Sequence, residues 1–120
     1  MKLKELIWIG SSKKDLNNLP EEIRDVVGYA LYLAQKGSQH PNTKVLQGFG
    51  GAGVIEIKES DASGTYRAVY TIKIETVVFV LHVFQKKSKQ GIKTPQAEID
   101  LIKSRLKDAQ ALYNERLKKI

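Results

Sequence analysis

The amino-acid sequence predicts an α+β fold, a small antiparallel sheet with an N-terminal helical hairpin and a C-terminal helix in the order β-α-α-β-β-β-α. Three observations lead there. Apolar residues recur at helical spacing from Pro20 to Ala34 and again from Ile99 to Leu117, which is the signature of amphipathic helices. Between them Val54 to Lys58, Tyr66 to Ile74 and Val77 to Phe84 alternate or run apolar over strand lengths, joined by short connections that favour a meander. A chain of 120 residues supports one modest core and not two, so residues 1–120 are read as a single domain.

Taken in order, Leu3 to Ile9 reads as a strand stopped by Gly10. Ser12 is placed as the N-cap of a helix of one or two turns, Lys13 to Asn18, with Asp15 near the positive end of its dipole. Pro20 opens a second helix whose apolar positions are Ile23, Val26, Val27, Ala30, Leu31 and Ala34; Glu21 and Glu22 sit in its first turn, and Gly37 stands past its end. Lys36 to Gly53, with Pro41 and four glycines from Gly48 onward, reads as a loop. In the next strand Ile55 and Ile57 face one way and Glu56 and Lys58 the other. Asp61 to Gly64 is a turn. After it Tyr66, Ala68, Tyr70, Ile72 and Ile74 share a face, leaving Arg67, Val69, Thr71 and Lys73 on the opposite one. Thr94 is the expected N-cap of the last helix, Pro95 its first residue, and Ile99, Ile102, Leu106, Ala109, Tyr113 and Leu117 its apolar stripe.

Composition narrows the function classes. Twenty Lys plus Arg against thirteen Asp plus Glu give a net charge of +7, which favours an acidic partner such as nucleic acid. No apolar run approaches the ~18 residues of a membrane span, and no signal-peptide pattern opens the chain. The absence of Cys rules out a disulfide framework and fits a cytoplasmic protein.

Several motifs carry less than they promise. Gly48 to Gly53 spells G-x-G-x-x-G, but it follows a loop and precedes a strand, the wrong context for a dinucleotide cradle. His40 and His82 without Cys make no ordinary zinc site, and neither a metal nor another cofactor is expected. His82 is either a general acid or base or a satisfied core histidine, on a strand face shared with Val80 and Phe84. The basic set is stronger. The apolar strand ending at Phe84 runs into Lys86, Lys87 and Lys89, and Glu56, Lys58 and Arg67 are expected to converge with Lys86 or Lys87 on one sheet face. The plain alternative is a solvated strand end that blocks aggregation.

The patterns Glu56-Ile57-Lys58, Tyr66-Arg67-Ala68-Val69-Tyr70, Leu81-His82-Val83-Phe84-Gln85-Lys86-Lys87 and Lys93-Thr94-Pro95 with Glu98 and Ile99 resemble the HigB-like, phage-derived branch of the RelE/ParE toxin superfamily. The resemblance covers most of the chain. It implies the toxin of a type II toxin-antitoxin system, a metal-independent endoribonuclease that cuts mRNA, usually in the ribosomal A site. In that chemistry a base activates the ribose 2′-OH for attack on the adjacent phosphate, cations stabilise the developing charge, and an acid protonates the leaving 5′-oxygen.

Carried over by position, the resemblance assigns Arg67 and Lys87 to transition-state charge and Lys58, Lys86 or His82 to proton transfer. Glu56, Lys89 and Lys93 fall to substrate binding, Glu56 orienting the lysines through an ion pair. The Tyr or His that several relatives use near the C-terminus has no counterpart in Leu117-Lys118-Lys119-Ile120. The implied partners are a helix-turn-helix antitoxin, mRNA and the ribosome, with operator DNA reached only through the antitoxin and no membrane. Two other functions remain open: a DNA gyrase poison of the ParE type, and an inactive RNA- or ribosome-binding protein.

Overall fold

The structure, a computed structural model, describes residues 2–86 and 94–119. Its elements are β1 (Glu5–Trp8), α1 (Ser12–Asn17), α2 (Glu21–Gln35), β2 (Thr43–Val45), β3 (Val54–Asp61), β4 (Gly64–Thr71), β5 (Val77–Lys86) and α3 (Gln96–Lys118). They form a five-stranded sheet in the order β1-β5-β4-β3-β2, with α1 and α2 on one face and α3 on the other. The α+β class and the placement of the helices are as expected. Two strand pairings correct the expectation: β1 pairs parallel with β5, so the sheet is mixed and not wholly antiparallel, and β2 pairs antiparallel with β3 inside the segment read as a loop.

Alternation along the strands produces the two cores. Ile55, Ile57, Tyr66, Ala68, Tyr70, Val78 and Val80 pack under Ile23, Val27, Ala30, Leu31 and Ala34 of α2. Val54, Val69, Val77, Phe79 and Leu81 meet Ile102, Leu106 and Ala109 of α3 on the other side. Each Val, Leu, Ile or Phe among them contributes about 1.5–3 kcal/mol when fully removed from water. Ile72 stays with the first core, but Ile74, past the end of β4, joins the second instead of sharing that face. Leu117 does not complete the α3 stripe: it is 51% exposed.

The helix ends reassign two hydroxyls. Ser11, not Ser12, precedes α1; Ser12 is buried, and its Oγ donates to the Val80 carbonyl at 3.1 Å. Pro95, not Thr94, is the N-cap of α3, its carbonyl accepting from the Ile99 amide at 3.1 Å. That leaves the Thr94 side chain to act elsewhere. At the other end of α2, Gly37 at φ +84° closes a Schellman turn, with the Ser38 amide on the Leu33 carbonyl at 2.8 Å.

A bulge in β5 decides which way its polar residues point. Val69 pairs with His82 but Tyr70 with Val80, so Leu81 is the extra residue. Val80 therefore faces the α2 core, while His82 and Phe84 face α3, not all three together as strict alternation predicts. Bulge carbonyls need partners, and they have them: Val80 accepts from the Ile9 amide at 2.9 Å, and Leu81 from Arg105 Nη1 at 3.0 Å.

One buried hydroxyl lacks a partner among the described residues: no hydrogen bond reaches Tyr70 Oη, and burial pushes its pKa up to about 12. Folding thus favours the protonated phenol, so this stability is complete below pH 10 and is lost as pH rises to about 12. Tyr70→Phe should raise stability at neutral pH by about 1 kcal/mol, since an unsatisfied buried hydroxyl costs about 1–3 kcal/mol. Urea unfolding checks this, and a less stable variant would contradict it.

Candidate nucleic-acid interface

The α3-facing side of the sheet is polar where α3 begins. Register sets its rows. Glu56 lies between Lys44 on β2 and Val69 on β4, with His82 beyond on β5. In the next row Lys58 pairs with Arg67 and Arg67 with Phe84; in the row after that Ser60 pairs with Thr65 and Thr65 with Lys86. Cross-strand partners project to the same face. Glu56, Lys58, Arg67, His82 and Lys86 are therefore brought to one face, as the alternation implied. Lys87, Lys89 and Lys93 lie outside the described residues.

At the centre is a buried ion pair. Glu56 is 0% and Arg67 1% exposed. Arg67 Nη1 donates to Glu56 Oε1 at 2.8 Å and to Thr94 Oγ1 at 3.2 Å, while Thr94 donates to Glu56 Oε2 at 2.7 Å. Lys44 Nζ stands 3.9 Å from Glu56 Oε1. The carboxylate is thus held by a guanidinium, a hydroxyl and a nearby ammonium, the satisfaction a buried charge requires. Glu56 orients Arg67 and Lys44 from beneath the face. Lys58 is exposed beside the pair, and Lys86 is half-buried.

His82 belongs to a second network. It is 6% exposed, its ring stacks on Phe84 at 4.6 Å between centroids, and its Nε2 contacts Glu98. Arg105 Nη1 lies 3.3 Å from Nδ1. A guanidinium can only donate, so Nδ1 accepts and Nε2 carries the proton to Glu98. Both ring nitrogens are engaged, which matches the satisfied-histidine alternative. Arg105 Nη2 also reaches Ser11 Oγ at 3.1 Å and packs so tightly on Gly10 that a Cβ there would sit 2.9 Å from its guanidinium carbon. With Gly10 at φ +57°, the conformation calls for glycine, and any side chain there would also displace the Arg105 guanidinium.

Four residues of these networks lay outside the sequence-based site: Lys44, Thr94, Glu98 and Arg105. Glu98, Ile102 and Arg105 follow the i, i+4, i+7 spacing, so two charges interrupt an otherwise apolar helix face. That interruption was a usable signal. The glycine-rich segment is the β2–β3 hairpin, with Gly48, Gly50, Gly51 and Gly53 all at positive φ and the Leu46 amide bonded to the Val54 carbonyl at 2.8 Å. No helix follows it. Among the described residues no three His, Asp or Glu side chains gather as metal ligands, and no helix is long and apolar enough to cross a membrane.

The model of a family described as phage derived protein Gp49-like (DUF891) matches residues 14–107. A double arginine mutant of the E. coli toxin RelE in the free state aligns at TM-score 0.51 and 23% identity, covering 69% of this chain and 83% of that one. The isolated E. coli RelE toxin aligns at TM-score 0.52 and 22% identity, covering 84% and 97%. These structures share the fold. No curated protein matches the chain.

Proposed function

We infer the function from family and site together: the chain belongs to the Gp49-like family of phage-derived proteins, a RelE/HigB-type toxin family, and has the RelE-like toxin fold. On that premise it is the toxin of a type II toxin-antitoxin system, a metal-independent endoribonuclease acting on mRNA at the ribosome. The observation that carries this is the cross-strand pair of Lys58 and Arg67, two cations fixed on rigid strands with Lys44 and Lys86 in the flanking rows. Such a row binds a polyanion and stabilises charge developing on a phosphate.

The 2′-OH attacks the adjacent phosphorus and the P–O5′ bond breaks, leaving a 2′,3′-cyclic phosphate and a 5′-hydroxyl. Arg67, backed by Glu56, supplies fixed positive charge. Lys58 and Lys86 are assigned proton transfer in this reading, with Lys87 adding charge and Lys89 and Lys93 binding substrate. His82, with both nitrogens engaged, positions the start of α3 through Glu98. A helix-turn-helix antitoxin neutralises the protein by covering the basic face, and operator DNA is contacted through that antitoxin. The protein works in the cytoplasm, where translated messages are.

Burial of Arg67 favours one second reading, a protein that binds RNA or the ribosome without cutting. Induction from a tight promoter, followed within minutes by mapping of cellular RNA 5′ ends, separates the two. New 5′-hydroxyl ends inside translated messages are expected. Growth arrest with intact messages would refute the nuclease and point to binding alone or to gyrase.

A further inference from the structure

The open edge of the polar face carries a depression of about 340 Å³ lined by Asn42, Thr43, Lys44, Glu56 and Lys58. At about 30 Å³ per water it has room for about ten waters, enough for a phosphate group and its sugar. Its lining residues are all polar or charged, with neither an aromatic nor a large apolar side chain to stack on a base, so it selects by charge.

The charge is favourable despite the carboxylate at its floor. Lys44, Lys58 and Arg67 put three positive charges against two carboxylates, Glu56, whose oxygens already face Arg67, Thr94 and Lys44, and Glu59, which accepts from Asn42 Nδ2 at 3.2 Å. Two of the cations are exposed: the Lys44 side chain is 56% accessible, and Lys58 is exposed beside it. Lys44 pairs with Glu56, so it stands one strand over and two residues back from Lys58 on the same face. Rows of a sheet separated by two residues lie about 7 Å apart, a step comparable to that between successive phosphates of an extended single strand.

We propose that Lys44 and Lys58 form an anion subsite for a backbone phosphate of single-stranded RNA, next to the phosphate that is cut at Lys58 and Arg67. The subsite extends the substrate path from the centre of the sheet to the β2 edge and makes Lys44 a substrate-binding residue. An acidic peptide would share the charge but would leave the row leading to Arg67 without a role. The inference rests on the RNA reading of this face, yet it concerns binding alone. It needs no 2′-OH, so it can fail or stand independently of cleavage.

The test measures binding of a short fluorescein-labelled oligodeoxythymidine, which cannot be cleaved by 2′-OH attack, to the full chain over a range of salt concentrations. Each phosphate contact on a single strand contributes about 0.7 to the slope of log K against log salt. Lys44→Ala should lower the slope by about 0.7, Lys58→Ala by a similar amount, and Lys44→Arg should keep it. Lys14→Ala, on the exposed surface of α1 across the sheet, serves as the control and should leave it unchanged. A wild-type slope in Lys44→Ala, or an equal drop in Lys14→Ala, would overturn the subsite. Thermal unfolding of Lys44→Ala close to that of the parent is expected, and a large loss would instead make Lys44 a structural counterion of Glu56.

Discussion

Arg67→Ala is expected to destabilise the fold by about 3–5 kcal/mol, the range for removing one partner of a buried ion pair. Among the described residues, the alanine would leave Glu56 at 0% exposure with the Thr94 hydroxyl and an ammonium 3.9 Å away. Lys44 is largely exposed and its charge is screened, so it does not replace a guanidinium at 2.8 Å. Replacing both partners, as Glu56→Leu with Arg67→Met, removes the stranded charge and should recover most of the loss. Urea unfolding of the parent, the two single variants and the double variant measures the coupling directly. A loss below about 1 kcal/mol in Arg67→Ala would mean that the pair is solvated, contrary to its geometry. The same reasoning governs activity assays: an Arg67→Ala protein that cuts no RNA is informative only where it is shown to be folded.

The helices were legible because their signal is redundant. α2 repeats its apolar contacts over four turns and closes with Gly37, so no single residue decides the assignment. β2 offers three residues, Thr43–Val45, between Pro41 and a run of glycines, too few for alternation to be seen. Lys44 was missed for that reason alone. Thr94 was misplaced because one hydroxyl suits two roles, capping a helix or bonding a buried pair, and local sequence does not say which partner is nearer. The register of Lys58 against Arg67 was available in principle. Asp61 pairs with Gly64 across a two-residue turn, and counting outward by three sets those partners opposite each other. Depth was not available: alternation gives the face of Glu56 and Arg67, but their burial and their bonds to Thr94 depend on the start of α3, distant in sequence. The bulge at Leu81 was also hidden, since the groups that satisfy its carbonyls, Ser12 and Arg105, are distant in sequence.

Lys58→Ala is expected to lower RNA cleavage by about 10²–10⁴-fold with little change in stability, the contribution typical of a positioned proton-transfer group. That is about 2.7–5.4 kcal/mol of transition-state stabilisation. Stability should hold because Lys58 is exposed and the ladder bonds of β3 to β4 involve only backbone. This separates the chemistry from the fold in a way that Arg67 does not allow. Lys58→Arg then distinguishes the two roles a lysine can have here. Arginine keeps the charge but does not deprotonate in proteins, so it can hold a phosphate and cannot shuttle a proton. If Lys58 transfers a proton, the arginine variant should bind an uncleavable RNA as tightly as the parent and cut as poorly as the alanine variant. Recovery of cleavage in Lys58→Arg would assign Lys58 to charge stabilisation beside Arg67 and move proton transfer to Lys86. Full activity in Lys58→Ala would remove the Lys58 and Arg67 row from the catalytic centre altogether.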